Sequence, residues 1–269
     1  MILGIDHIAL SGSNLDADCR ELQAAGFSAV FREDEVPNDA AKKHFLKEYH
    51  PSHGIAYFRG AVGPSIELTV HGKPAPDAQA LYEPVMTGRT WQARVDQKKS
   101  QGSLQAAMGR EGAPALWRPF AAPVWITDDV KTGISAVVLR VPSCGVARDF
   151  WSSALRFRCE AEGQDQAGKR WSRLSFVSPV PQWCLTVVCW AAALERHSAR
   201  LDAPGFNCVA FLSNNIEEDA IRLTSSGAVK SSGIFSTHVN GSNLRVCVAE
   251  GPQGELVELI QVPQSKGRS

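Results

Sequence analysis

The chain has 269 residues with 28 basic and 28 acidic side chains, so its formal net charge is zero, and 44% of its residues are hydrophobic. This balance gives no electrostatic reason to expect a nucleic acid or an anionic membrane as a partner, and the apolar content is sufficient for a packed core. No apolar stretch reaches the roughly 18 residues that a membrane helix needs.

The chain begins with a strand-like segment at residues 4–10. Because Asp6 and His7 interrupt it, we interpret it as a strand and not as a secretion signal. A helix is predicted next, with Asn14 as its N-cap and Gly26 at its end. Further strand-like runs follow, and a strand at 66–70 closes the segment. Residues 1–72 therefore predict a unit of one strand, one helix and three more strands.

The same order returns twice more along the chain. Strand signatures at 134–139 and 206–212 open a middle copy and a last copy, and runs at 183–187 and 257–260 close them. The middle copy has Arg156 where the first has its terminal glycine, so we expect its helix to end differently. Recurrence at a fixed period indicates an architecture built from similar units.

The connecting segment 73–133 does not fit the repeat in an obvious way. It contains Trp91, Trp117 and Trp125 and a helix-like stretch at 103–108. A structureless stretch of this length is uncommon in a compact domain, so we expect either a degenerate fourth unit or a lid. The predicted organisation is a first unit at 1–72, the connecting segment at 73–133, paired middle and last copies at 134–264, and a tail at 265–269.

Strand alternation predicts which side chains share a face. In the opening strand Ile8 and Leu10 belong to the helix side, so His7 points to the opposite face. In the closing strand the same argument places Glu67 on the face that His7 occupies. His7 and Glu67 are therefore candidates for one concave surface.

Three segments carry a resemblance to a known family: 251–260 as a closing turn and strand, 6–10 as an opening strand, and 147–157 as a helix and its exit. In these segments the sequence resembles the vicinal oxygen chelate superfamily, which includes glyoxalases, bleomycin-resistance proteins and extradiol dioxygenases. The resemblance implies an α+β fold of repeated βαβββ units that pair into open, cup-like mixed sheets.

The resemblance also implies a divalent metal, held by a His on the opening strand and a Glu on the closing strand of paired units. Chain order favours pairing of the middle copy with the last, which leaves a poor ligand set. Pairing of the first copy with the last, or with another chain, unites His7, Glu67 and Glu258, a set suited to zinc, iron, manganese or nickel. The corresponding positions are His7 and Glu67 in the first copy, Ala136 and Cys184 in the middle copy, and Cys208 and Glu258 in the last.

The family resemblance leaves two functions open. One is a metal-dependent lyase, isomerase or dioxygenase in which Glu67 and Glu258 act on the substrate's proton. The other is a metal-free protein that sequesters a small hydrophobic or aromatic compound in the same cup. Under either function, we expect His53, Trp91 and Trp183 to contact the ligand, although a solvated loop is an alternative interpretation for His53.

Two further expectations concern the environment of the protein. Seven cysteines, several in apolar strand patterns, favour free thiols in a reducing compartment, so we expect a cytoplasmic protein. Three recognisable copies are an odd number, and an unpaired unit makes a homodimer an additional possibility.

Overall fold

The structure, a computed structural model, describes residues 1–72, 81–88, 95–97, 107–108, 113–117, 120, 122–127, 129–165, 167–193, 195–196 and 198–262. Its helices are α1 (Leu15–Ala24), α2 (Cys144–Leu155) and α3 (Ile216–Ser225), with short 3₁₀ helices at Ala40–Phe45 and Pro181–Trp183. The strands of the first half are β1 (Ile2–Ser11), β2 (Ser28–Pro37), β3 (Ser52–Arg59), β4 (Ser65–Val70), β5 (Tyr82–Thr87), β6 (Val95–Gln97), β7 (Ala113–Trp117) and β8 (Ala122–Thr127). Those of the second half are β9 (Gly133–Val141), β10 (Arg158–Gln164), β11 (Arg170–Phe176), β12 (Leu185–Ala191), β13 (Gly205–Ser213), β14 (Lys230–Ser231), β15 (Phe235–Val239), β16 (Ser242–Glu250) and β17 (Leu256–Gln261).

Each unit has the same strand pairing. Its first strand runs parallel to its last, as β1 does to β4, β9 to β12 and β13 to β17, and the strands between them join antiparallel. In the connecting segment β5 is parallel to β8, and β6 and β7 complete the antiparallel run. The connecting segment therefore has the strand pairing of a fourth unit. Of its helix-like stretch, only residues 107–108 lie in the described part, and they are helical.

The pairing between units differs from the one that chain order predicts. Strand β1 of the first copy is antiparallel to β13 of the last, and β5 of the connecting unit is antiparallel to β9 of the middle copy. Our expectation that the copies within 134–264 pair with each other is therefore wrong. The connecting unit supplies the middle copy with its partner, so the last copy is left to pair with the first. All four units find partners within the chain, which removes the reason for expecting a homodimer.

The helices are formed as their end signals predict. Asn14 Oδ1 accepts a hydrogen bond from the amide of Ala17 at 2.9 Å, and Gly26 has a φ of 96° just after α1. At the end of α2, Arg156 adopts a φ of 63°. The middle helix thus also ends on a residue in the left-handed conformation, contrary to our expectation. Arg156 has a Cβ, so this conformation costs it more free energy than it would cost glycine.

The core lies between the helices and the sheet and continues across the junction of the two halves. Tyr82 of β5 is fully buried, and its hydroxyl donates to the carbonyl of Leu256 at 2.7 Å. Its ring lies 6.4 Å from that of Trp151 on α2, which in turn contacts Phe211 of β13. The mixed sheet is not closed, so each pair of units leaves a concave face. Within the described residues, no helix is long and apolar enough to cross a membrane.

Candidate metal centre

The strand register brings three predicted ligands together. Within the first copy, Ala9 of β1 lies opposite Glu67 of β4, and within the last copy Ala210 of β13 lies opposite Glu258 of β17. Since His7 of β1 lies opposite Ala210, the two halves of the site meet where β1 joins β13. One ligand atom from each of His7, Glu67 and Glu258 lies within 4.8 Å of the others.

The geometry of these atoms fits a metal ion. His7 Nε2 is 3.5 Å from Glu67 Oε1 and 3.8 Å from Glu258 Oε2. Ligands at about 2.0 to 2.2 Å from one ion are separated by about 3 to 4.4 Å. The His7 side chain is 1% exposed, and its Nε2 is buried without a hydrogen-bond partner among the described residues. A buried, unpartnered ring nitrogen that faces two carboxylates calls for a positive charge between them, either a metal ion or a proton on the ring.

A β-bulge adds a carboxylate that the alternation argument missed. The register of β1 against β13 shifts between Ile5 and His7, so Asp6 is an extra residue on β1 and faces the cup beside His7. Asp6 Oδ2 is 2.8 Å from His7 Nδ1 and accepts a hydrogen bond from the Tyr57 hydroxyl at 3.2 Å. Asp6 thus fixes the ring orientation that points Nε2 at the other carboxylates.

The electrostatics reflect this concentration of acids. Burial opposes charging of His7, but the carboxylates of Glu67, Asp6 and Glu258 outweigh it and raise the pKa of His7 to about 9. Burial and the neighbouring Glu67 carboxylate raise the pKa of Glu258. Without a metal, the cluster therefore favours a proton on His7. A divalent cation would supply the positive charge in its place.

The three residues line an open cup with a volume of about 220 Å³. His53 and Lys42 also line it, and His53 is 6% exposed. The structure thus places His53 on the cup wall and not in a solvated loop, and its contact with a ligand stays a prediction. The apolar part of the wall includes Phe31, Ile55, Leu212, Leu244, Val246 and Ile260.

Trp183, which we also expected in the cup, lies elsewhere. Trp183 is not among the residues that line the cup; it packs against Gly4, where a Cβ would lie 2.5 Å from the Trp183 Cβ. The cause is the 3₁₀ turn Pro181–Trp183, which places this tryptophan before β12 and against the start of β1. Trp91 lies outside the described residues. Cys208 is fully buried, and its sulfur is not one of the converging ligand atoms.

Among the described residues, the second cup, between the connecting unit and the middle copy, has no equivalent ligand set. In the first cup Ala9, two residues after His7, lies opposite both Glu67 and Cys208. In the second cup Val85, two residues after Glu83, lies opposite Trp125 and Ala136, and Val138 lies opposite Val188. The positions that correspond to His7, Glu67, Cys208 and Glu258 are therefore Glu83, Trp125, Ala136 and Val188.

This alignment corrects the position that we assigned to Cys184. Cys184 precedes β12, and its sulfur accepts a hydrogen bond from the amide of Ser178 at 3.2 Å, so Val188 and not Cys184 occupies the closing-strand position. The second cup is filled by apolar side chains. Glu83, at the position that corresponds to His7, accepts hydrogen bonds from Trp125 Nε1 at 2.9 Å and Arg140 Nε at 2.6 Å.

Comparison with known proteins supports the fold. No family model matches the sequence, and no curated protein sequence matches it significantly. Among solved structures, glyoxalase I from Zea mays is similar with a TM-score of 0.66 at 13% identity, over 96% of this chain and 92% of that one. A protein of Bacillus subtilis described as a candidate dioxygenase is similar with a TM-score of 0.64 at 12% identity, over 98% of this chain and 86% of that one.

This chain has the vicinal oxygen chelate fold. The fold class that the sequence predicts is thereby confirmed. Identities of 12% and 13% identify the architecture and leave the reaction to be argued from the site.

Proposed function

We propose that this protein is a divalent-metal-dependent enzyme that acts on a small molecule with two neighbouring oxygen atoms, by lyase, isomerase or dioxygenase chemistry. The observation that carries the proposal is the convergence of His7, Glu67 and Glu258 on one point of the cup, with the His7 Nε2 unpartnered among the described residues. The solved structures with the same fold include a glyoxalase I, which supports an enzyme of this general type.

The chain's own residues take distinct roles in this proposal. His7, Glu67 and Glu258 would hold zinc, iron, manganese or nickel, because an imidazole and two carboxylates suit each of these ions. The ion would act as a Lewis acid on the two substrate oxygens. Asp6 holds the His7 ring in position through the Nδ1 contact. Glu67 is 19% exposed, against 12% for Glu258, so its second oxygen is the better placed to accept a proton from the substrate.

A second candidate is a metal-free binding protein that keeps the same cup. One observation favours it: the fourth family position is Cys208, which is buried and does not converge with the other three. In this candidate the protonated His7 offsets part of the negative charge of the acids, and the apolar wall holds a hydrophobic or aromatic compound.

Metal stoichiometry distinguishes the two candidates. The protein is purified under reducing conditions, incubated with each of the four metals, dialysed and analysed by elemental mass spectrometry. We expect one ion per chain, lost in His7→Ala and retained in the control His44→Ala, whose side chain is exposed. Circular dichroism of both variants shows whether the fold is intact. Failure of the wild-type protein to retain any metal would favour the binding protein.

A further inference from the structure

The side chain of Lys42 is a cation in the cup that the proposed metal chemistry does not use. Lys42 belongs to the short 3₁₀ helix Ala40–Phe45, is half-buried and lines the cup. Its ammonium lies 5.7 Å from the centroid of the Phe235 ring. Within the described part of the chain, no carboxylate forms an ion pair with it. A half-buried ammonium without a counter-ion gains from an anion that enters the cup.

The other charged groups of the cup already have partners. Glu67 and Glu258 converge on His7, and two carboxylates balance the charge of a divalent ion. Asp6 contacts His7 and accepts from Tyr57. None of these carboxylates forms an ion pair with Lys42, although its ammonium acts on Glu258 from a distance and opposes the rise in the pKa of that carboxyl, so its N–H donors are left for a ligand.

The surroundings of Lys42 favour a single negative charge on the ligand. His53, which lines the same cup, adds no charge, because burial and the Lys42 ammonium lower the pKa of His53 to about 3. No arginine is among the described residues that line the cup, so the bidentate contacts typical of phosphate recognition are missing there. One ammonium is suited to a carboxylate.

The size and polarity of the cup indicate what the part of the ligand beyond the carboxylate looks like. A volume of about 220 Å³ exceeds the roughly 150 Å³ of an engineered cavity that holds benzene. The wall beside the charged groups is apolar, with Ile55, Leu212 and Val246 among its residues. A ring or branched chain with a short acidic arm fits this combination.

We propose that Lys42 forms an anion subsite of the cup and that the substrate is a small carboxylate with an apolar body. This inference rests on the proposed function, because it assigns the substrate class of the same site. It adds that the carboxylate lies at Lys42, away from the oxygens that react.

The test compares an acid with its neutral amide. Binding of 3-phenylpropanoate and 3-phenylpropanamide is measured by titration calorimetry in buffer containing Mn²⁺. We expect the wild-type protein to bind the acid about tenfold more tightly, as for a hydrogen bond to a charged group. Lys42→Met should remove this preference and Lys42→Arg should retain it. Lys43→Met is the matched control, since Lys43 is the next residue of the same helix and is exposed.

Several results would overturn the subsite: equal binding of the two probes by the wild-type protein, no binding of the acid, or an undiminished preference in Lys42→Met. A preference that is lost in Glu67→Gln and kept in Lys42→Met would place the carboxylate on the metal instead. Mn²⁺ uptake, measured on the same samples, separates this inference from the proposed function. If the preference for the acid depends on Lys42 but no metal is taken up, the subsite is supported and the proposed enzyme is not. If metal is taken up but the preference for the acid is absent, the proposed enzyme is supported and the subsite is not.

Discussion

The stacked pair His53 and His71 makes the stability of the protein depend on pH in a defined window. The two rings lie 4.6 Å apart, and the residues are 6% and 5% exposed. Burial and the Lys42 ammonium lower the pKa of His53 to about 3. Burial, His53, Lys42 and His50 lower the pKa of His71. The folded protein therefore keeps both rings neutral, whereas the unfolded chain protonates them below about pH 6.5.

The sign and size of the effect follow from these values. The contribution to stability is fully present above about pH 6.5 and is lost as the pH falls towards 3. Each proton that the unfolded chain binds and the folded protein does not lowers the free energy of unfolding by about 1.4 kcal/mol per pH unit. His53 alone therefore accounts for about 2 kcal/mol between pH 6.5 and 5. Burial raises the pKa of Glu255 to about 7, and this carboxyl contributes the opposite slope over the same window. The measurement must therefore compare variants and not a single curve.

Urea unfolding at several pH values between about 5 and 6.5 provides the assay. We expect His53→Gln to lose about 2 kcal/mol less stability than the wild-type protein as the pH falls across this window. His44→Gln is the control, because the side chain of His44 is exposed, and its curve should follow that of the wild-type protein. Parallel curves for the wild-type protein and His53→Gln would refute the reasoning, since they would show that His53 is not held neutral.

Two further predictions concern the two cups. Asp6→Asn should weaken metal binding by about 10- to 100-fold with the fold intact, because the amide is a weaker partner for His7 Nδ1; equilibrium dialysis measures the affinity, and an unchanged value would contradict the role of Asp6. Trp125→Ala should lower the free energy of unfolding by about 3 to 5 kcal/mol, because Trp125 is 3% exposed and stacks on Trp190 in the filled cup, yet leave metal stoichiometry unchanged. Denaturation and elemental analysis of the same sample check both parts, and loss of metal without loss of stability would contradict our description of the second cup.

The sequence was sufficient to predict the order of elements in the repeated unit and the faces on which His7 and Glu67 lie. His7 and Glu67 could be assigned to one face because a two-residue period is a local property of a strand. The residues Asn14 and Gly26 at the two ends of α1 could likewise be predicted, since each is adjacent in sequence to the helix end that it stabilises. The resemblance of residues 251–260 to a family strand added Glu258.

The partner of the first copy could not be predicted, because pairing depends on all four units and the connecting unit lacks the sequence signature of the other three. Strand β5 lacks the sequence signature of the other opening strands and their spacing from a helix. The sequence therefore did not indicate the connecting segment as the partner of the middle copy. The bulge at Asp6 was missed for a different reason: it arises from the register of β1 against β13, which no local pattern encodes. The error at Cys184 came from the 3₁₀ turn before β12, which displaces the closing strand by several residues.

The central claim, that His7, Glu67 and Glu258 together hold a metal ion, is tested most directly by anomalous scattering from crystals grown with Mn²⁺. We predict one strong peak within about 2.0 to 2.4 Å of His7 Nε2 and of a carboxylate oxygen from each glutamate. No peak at this position in well-ordered crystals, with His7 Nε2 still within about 4 Å of a carboxylate oxygen of both glutamates, would contradict the claim.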